Sequence, residues 1–270
     1  MSAGARGIDR PSRQLLLLLV AYHPSALEID QLKACLAELP AEVGYAVVVN
    51  DHQQGEPVEK LALGADCFLA NSDNPGYGRA VNRLVDKLDS LPPYIGVLNT
   101  DLVWPSGTFE LLLTWLQQHP SVNLAVPQIL DQEGIPQKLC KRNPTVLGLL
   151  SRRFLPAWLK PAWLKRYDRW YVMADQNYEE VFEAPYLSGC CMLIRSEAFC
   201  SAGGFDDRYF LYLEDADLTR SLARDGLCVH LPLASVVHGW GRGNYRNLSL
   251  MVVNVISAWR YFSKWGWALW

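Results

Sequence analysis

Residues 210 to 220 read FLYLEDADLTR, and they place three carboxylates, Glu214, Asp215 and Asp217, within four positions, directly after a run of large apolar side chains. Like charges crowded beside apolar groups are unfavourable unless they are solvated or put to use. If a helix begins near Glu214, Asp215 shares a face with Leu218 and Leu222 at i+3 and i+7, which is the inward face. Asp217 shares its face with Arg220 and Arg224 at the same spacing, which predicts a solvated, salt-bridged face. Glu214 falls at the helix N-terminus, where the dipole favours a carboxylate, and reads as a supporting group. Asp215 is therefore the residue out of place. Desolvation on a buried face would raise its pKa towards that of a useful general base, able to take a proton from a hydroxyl.

Other polar groups sit just after strand-like runs. Tyr22 and His23 follow Leu15–Ala21, and Asn50 and Asp51 follow Tyr45–Val49. NSDNPGYGRAVN, residues 71–82, follows Cys67–Ala70, and NTD, residues 99–101, follows Ile95–Leu98. Ligands of open α/β sheets bind at the carboxyl ends of the strands, so four strands aim polar groups at one edge. The G-x-G of Gly76 and Gly78 lacks a third glycine, and a turn entering a helix explains it without a dinucleotide. Arg79 adds a guanidinium in the first helical turn, where a diphosphate could meet both it and free N–H groups. Asp101 ends its strand as turn formers also do, and it gains weight from these neighbours. His238 follows the strand-like Leu233–Val237. A hydrogen-bonded loop histidine is the commoner case, yet an imidazole can join a carboxylate around Mn²⁺ or a similar ion.

The elements that must hold these groups alternate. At 270 residues and 30.4 kDa the chain can form one large α/β domain or two small ones. The order strand–helix–strand–helix predicts a doubly wound, mostly parallel sheet flanked by helices. LLLLLVA, residues 15–21, is too short to cross a membrane and has no cleavage site after it, so it reads as a buried parallel strand. Ser25 and Glu28 form a capping box. Residues 1–10 read as a loose tail. The seven cysteines are odd in number and contain no C-x-x-C, which predicts reduced thiols, with Cys190 and Cys191 as small residues in a buried strand over Tyr186–Ile194. The net charge of −3 points to no partner, but it is unevenly spread. Lys138 to Arg169 holds nine basic residues and one acid, around an exact repeat, PAWLK-PAWLK, at 156–165. This segment suits either an anionic membrane surface or a basic, aromatic-walled acceptor groove. A nucleic-acid-binding module would explain the segment and leave the four polar strand ends unexplained. Ser249–Trp270 reads as a helix with an aromatic end.

In this order the motifs resemble the inverting GT-A glycosyltransferases of family 2, and especially their rhamnosyltransferase-like branch. The matching segments are VAYHP, VVVND, NPGYGRAVN, LNTD, YLSGCCMLIRSEAF, GGFDDRYFLYLEDADLTRSLARDG and His238, spread over roughly residues 14–262. The resemblance implies a Rossmann-like GT-A domain over 11–248, with a nucleotide-sugar half at 11–137, an insertion at 138–185 and a catalytic half at 186–248, then a helix at 249–270. It implies nucleoside contacts from Tyr22, Asn50 and Asp51, and donor contacts from Asn74, Gly76, Arg79 and Asn99. Asp101 would bind a divalent metal, Mg²⁺ or Mn²⁺, with His238, and Asp215 would be the base beside Glu214. Asn99 stands where the family has the first Asp of its metal motif, Asn50 where an Asp contacts the base, and His23 where an Asn is frequent. The donor implied is dTDP-L-rhamnose, the acceptor a glycan or lipid-linked saccharide of bacterial surface polysaccharide such as O-antigen, and the location the cytoplasm or the inner face of its membrane. UDP- or GDP-sugar donors, or binding without catalysis, are the alternatives.

Overall fold

The computed structural model describes residues 13–239 and 248–270. The loose tail expected at 1–10 lies outside them. The strands are β1 (Leu15–Ala21), β2 (Val43–Val49), β3 (Cys67–Ala70), β4 (Tyr94–Asn99), β5 (Leu102–Val103), β6 (Val122–Leu130), β7 (Phe182–Glu183), β8 (Cys191–Arg195) and β9 (Leu227–His238). The helices are α1 (Ala26–Ala37), α2 (Tyr77–Val85), α3 (Thr108–Gln118), α4 (Val146–Phe154), α5 (Ala162–Tyr171), α6 (Ser196–Ser201), α7 (Glu214–Leu222) and α8 (Leu248–Trp265). One sheet runs β3-β2-β1-β4-β8-β6-β9-β5, with β7 added to β9. Its first half is parallel, as the alternation predicted. β8 then enters antiparallel between β4 and β6.

The leucine run of β1 is buried at all seven positions, between β2 and β4. That double covering is why the run carries no polar alternation. β6 was not legible, because Pro127 argues against a central strand. The sheet accommodates it with a register shift against β9 between Pro127 and Gln128. The strand expected from Tyr186 begins only at Cys191, and residues before it stay irregular where they border the site. The Ser25 half of the capping box forms, with the Glu28 N–H donating to Ser25 Oγ at 3.2 Å. The Glu28 carboxylate turns instead to the Thr100 hydroxyl, beside Asp101.

The PAWLK repeat takes two structures. Its first copy is a 3-10 turn at Ala157–Leu159 and its second opens α5. Leu164 is buried while Leu159 is exposed. Lys160 pairs with Asp168, which also accepts from Ser151 Oγ at 2.6 Å, so Lys160 braces α5 against α4 and is not a free surface charge. Lys165 remains exposed.

A second, smaller core gathers Tyr186, Tyr209, Leu213, Ala216, Tyr261 and Phe262 where α8 lies on α7. This packing corrects the reading of Asp217. It is only 2% exposed. Its oxygens accept from Lys264 Nζ at 2.8 Å, Trp265 Nε1 at 2.7 Å and the Tyr209 hydroxyl at 3.4 Å. Arg220 and Arg224 stack on the Trp265 ring instead, at 4.6 and 4.7 Å. The arginine spacing was real, but α8 covers the face that local spacing marked as solvated.

Candidate active site

The carboxyl ends of β4 and β9, the N-terminus of α7 and the segment around α4 enclose a cavity of about 630 Å³. Asn99, Asp101, Glu214, Asp215 and His238 all line it. Residues separated by more than 130 positions are thus brought together, as the sequence reading required.

The entry to α7 is held under tension. Tyr212 (φ 68°) and Leu213 (φ 66°) are both left-handed without being glycine, an arrangement of order 1–3 kcal/mol per residue. Neighbours fix it on both sides. The Tyr77 N–H donates to Phe210 O at 3.0 Å, and Ser257 Oγ of α8 donates to Leu211 O at 2.8 Å. Gly76 (φ 95°) makes the first contact possible, since a Cβ there would lie 2.1 Å from Phe210 O.

Asp215 is half-buried and its carboxylate is clamped: Oδ2 accepts from Gly189 N–H at 3.0 Å and Oδ1 from Ala216 N–H at 2.9 Å. The Tyr77 hydroxyl donates to Gly189 O at 2.8 Å, which ties this clamp to α2. Tyr77 and Gly189 were not singled out from sequence, although both lie within the quoted motifs. The more deeply buried acid is Glu214, at 6% exposed. Burial first, and then Asp215, push its pKa up to about 8. Near neutral pH Glu214 therefore keeps its proton. The expectation that Asp215 is the buried member and Glu214 the intermediate one is reversed, because the left-handed Leu213 turns the first helical residue inward.

This arrangement has a stability consequence. Between about pH 4.5 and 8 the folded protein holds a proton on Glu214 that the unfolded chain releases. Stability from this group is full below that window and is lost as pH rises through it, at up to about 1.4 kcal/mol per unit. Glu214→Gln is expected to flatten that part of the curve, as read from denaturation midpoints at pH 5.5 and 8. Identical slopes in both proteins would contradict a protonated Glu214.

On the other side, His238 Nε2 lies 3.2 Å from Asp101 Oδ2 and 3.4 Å from Asn99 Nδ2. Asp101 Oδ1 and His238 Nδ1 are buried and have no hydrogen-bond partner among the described residues. Among the described residues, no three His, Cys, Asp or Glu side chains gather closely enough to hold an ion alone. One carboxylate and one imidazole, each with an unpartnered polar atom, fit a cation completed by ligand oxygens and water.

The donor-side residues are divided. Tyr22 is exposed, its ring 4.5 Å from that of His23. His23 (φ 45°) and Asp51 (φ 53°) are both left-handed at the ends of β1 and β2. They meet at 3.1 Å, and Glu56 reaches His23 Nδ1 at 2.5 Å. Hydrogen bonds to Glu56 and then Asp51 raise the His23 pKa. Asn50 is buried and committed to the neighbouring loop, donating to Gly76 O at 3.3 Å and accepting from Asn71 at 3.0 Å. Asn74 Oδ1 accepts from Gly76 N–H at 3.0 Å. Asn50, Asn74 and Gly76 thus shape the loop that leads into α2. Arg79 does not line the cavity. Its guanidinium donates to Asp207 O, because two residues along a helix carry it about 200° away from Tyr77.

No family model matches the chain. Two curated proteins of Mycobacterium tuberculosis, from strains CDC 1551 / Oshkosh and ATCC 25618 / H37Rv, are each 35% identical over 239 residues, covering 83% of this chain and 75% of theirs. Both are N-acetylglucosaminyl-diphospho-decaprenol L-rhamnosyltransferases. Among solved structures, GalNAc-T7 with UDP, GalNAc and Mn²⁺ matches with a TM-score of 0.67 at 14% identity, over 95% of this chain and 49% of that one. The mannosyltransferase PcManGT from Pyrobaculum calidifontis, in complex with GDP-Man and Mn²⁺, matches with 0.61 at 15%, over 95% and 65%. These two likenesses carry the fold. With the mycobacterial identity over most of both chains, the protein belongs to the GT-A glycosyltransferases of family 2, in their rhamnosyltransferase-like branch.

Proposed function

We propose that the protein transfers L-rhamnose from dTDP-L-rhamnose to a lipid-linked saccharide, with inversion, in the synthesis of a bacterial surface polysaccharide. The observation that carries this reading is the Asp215 carboxylate, clamped by two N–H groups in the cavity that also holds Asp101 and His238. The exposed shelf of Tyr22, His23 and Asp51 is the place for the nucleoside, with the loop built on Asn50, Asn74 and Gly76 beside it. Asn99, Asp101 and His238 face the donor diphosphate. Asp101 and His238 would hold Mg²⁺ or Mn²⁺, which when bound would neutralise charge on the departing diphosphate. Asp215 takes the proton of the acceptor hydroxyl as that oxygen attacks the anomeric carbon from the opposite face. Glu214, uncharged, spares the site a second negative charge. The wild-type protein is expected to show a thermal shift with dTDP-L-rhamnose that exceeds those with UDP- and GDP-sugars, and to lose turnover in excess EDTA. A larger shift with a UDP- or GDP-sugar would reassign the donor. Full turnover after metal stripping would recast Asp101 as a direct contact to the diphosphate.

The reading also places the protein on an anionic membrane, at its cytoplasmic face. No helix among the described residues is long and apolar enough to cross one. Trp158, Trp163 and Trp270 are exposed, at 79%, 61% and 78%, beside exposed Phe154, Leu155 and Leu159. The C-terminal tail joins this surface through Val146 N–H to Ala268 O at 2.9 Å and Leu147 N–H to Leu269 O at 3.0 Å. Lys165, Arg166 and Arg169 are exposed on α5 nearby. Each such charge contributes about 1 kcal/mol near an anionic leaflet, and Trp favours the interface. Changing all three to Gln is expected to weaken flotation with phosphatidylglycerol vesicles by roughly 100-fold. Equal flotation of both proteins, or equal binding to neutral vesicles, would contradict this placement.

A further inference from the structure

The cavity has a second charged wall that the reaction as described does not use. Lys141, Arg152 and Arg153 all line it, from the segment that precedes and forms α4. The Lys141 ammonium lies 4.2 Å from the centre of the Tyr186 ring, and the Lys141 N–H is tied to Tyr186 O at 2.9 Å. Among the described residues, neither Lys141 nor Arg152 forms an ion pair with a carboxylate. Arg152 and Arg153 close the last turn of α4, where cations also complement the helix dipole. That role needs no contact with the cavity, and both residues nevertheless line it. Tyr171 belongs to the same wall, and its buried hydroxyl has no hydrogen-bond partner among the described residues.

We propose that Lys141, Arg152 and Arg153, with the Tyr171 hydroxyl, form an anion subsite that takes the diphosphate of the acceptor. The proposal rests on the glycosyl-transfer reading and deepens it. Asn99, Asp101 and His238 come from the strand ends, whereas these cations come from the inserted segment, and Asp215 lines the same cavity. In a displacement from the opposite face, the group that meets the base is the acceptor, and Lys141 lies close enough to Asp215 to feel its charge, so this wall is the one beside the acceptor. Two arginines supply planar forks suited to phosphate oxygens, and a lysine supplies a point charge. Burial lowers the Lys141 pKa, Asp215 opposes that effect and Arg152 adds to it. A diphosphate would relieve the repulsion between Lys141 and Arg152.

The test compares wild type with Arg152→Gln/Arg153→Gln and, separately, with Lys141→Met. Calorimetric binding is measured for GlcNAc-diphosphate and for dTDP, and transfer is measured to GlcNAc-diphospho-undecyl and to undecyl GlcNAc, which lacks the diphosphate. The expected result is a roughly 10–100-fold loss of GlcNAc-diphosphate affinity in each variant, with dTDP affinity unchanged. KM should rise for the diphosphate acceptor and not for the neutral one. An equal loss of dTDP affinity would assign the cations to the donor and overturn the proposal. Unchanged GlcNAc-diphosphate affinity in both variants would overturn it too. If wild type transfers sugar to neither acceptor yet binds GlcNAc-diphosphate through these residues, the subsite stands and the transfer reading fails.

Discussion

Asp215→Asn is expected to lower transfer roughly 10²–10⁴-fold while dTDP affinity stays within about twofold. The hydroxyl proton must leave as the new bond forms, and an amide of the same size cannot accept it. The variant retains its oxygen for one of the two clamping N–H groups and turns an NH₂ towards the other. That substitution removes about one hydrogen bond, on the order of 1 kcal/mol, so the protein remains folded. The neighbouring acid supplies the control. Glu214 is already uncharged near neutral pH, so Glu214→Gln replaces one neutral group by another and should stay within a few-fold of wild type at pH 7. Single-turnover rates and dTDP affinities for the two variants separate the roles. Normal turnover by Asp215→Asn, or loss confined to Glu214→Gln, would exchange the assignments.

Asp217→Ala is expected to affect stability more than any other change on α7. It removes the acceptor of Lys264, Trp265 and Tyr209 at once, in a position that is 2% exposed. Breaking a buried charge pair typically costs 3–5 kcal/mol. Here Lys264 is 27% exposed and keeps Asp206 at 3.1 Å, so about 3 kcal/mol is the better figure. For a chain of this size that lowers Tm by on the order of 10 °C. Asp217→Asn keeps a partner for Trp265 and should lose about half as much. Because α8 also fixes the loop before α7 through Ser257, turnover should fall in both variants with less change in dTDP affinity. A Tm within 1–2 °C of wild type for Asp217→Ala would restore the solvated reading of that face.

Much of the sheet was legible because its physics is local. β1 is a continuous apolar run, and its neighbours end in polar groups at one edge. That Asp101, Asp215 and His238 meet at one cavity was legible for the same reason, each following or opening an element whose type the sequence states. Four features were not. Asp217 has the local spacing of a surface acid, and only the arrival of α8, some 30 to 48 residues later in the chain, buries it. Glu214 looked intermediate, because no pattern signals two left-handed residues, Tyr212 and Leu213, in front of it. Arg79 sits in a diphosphate-like motif, but the motif does not reveal that Asp207 O claims its guanidinium. Lys141 carried no signal beyond belonging to a basic segment. Its place in the cavity follows from pairing with Tyr186, which is a tertiary fact.

The stereochemistry of the product tests the central claim most directly. Purified protein, β-linked dTDP-L-rhamnose and GlcNAc-diphospho-undecyl are combined with Mg²⁺, and the anomeric carbon–proton coupling of the new glycoside is read by NMR. A single displacement with Asp215 as base predicts an α-L-rhamnoside, formed roughly 10²–10⁴-fold more slowly with Asp215→Asn. A β-linked product, or release of free rhamnose with no glycoside formed, would contradict it.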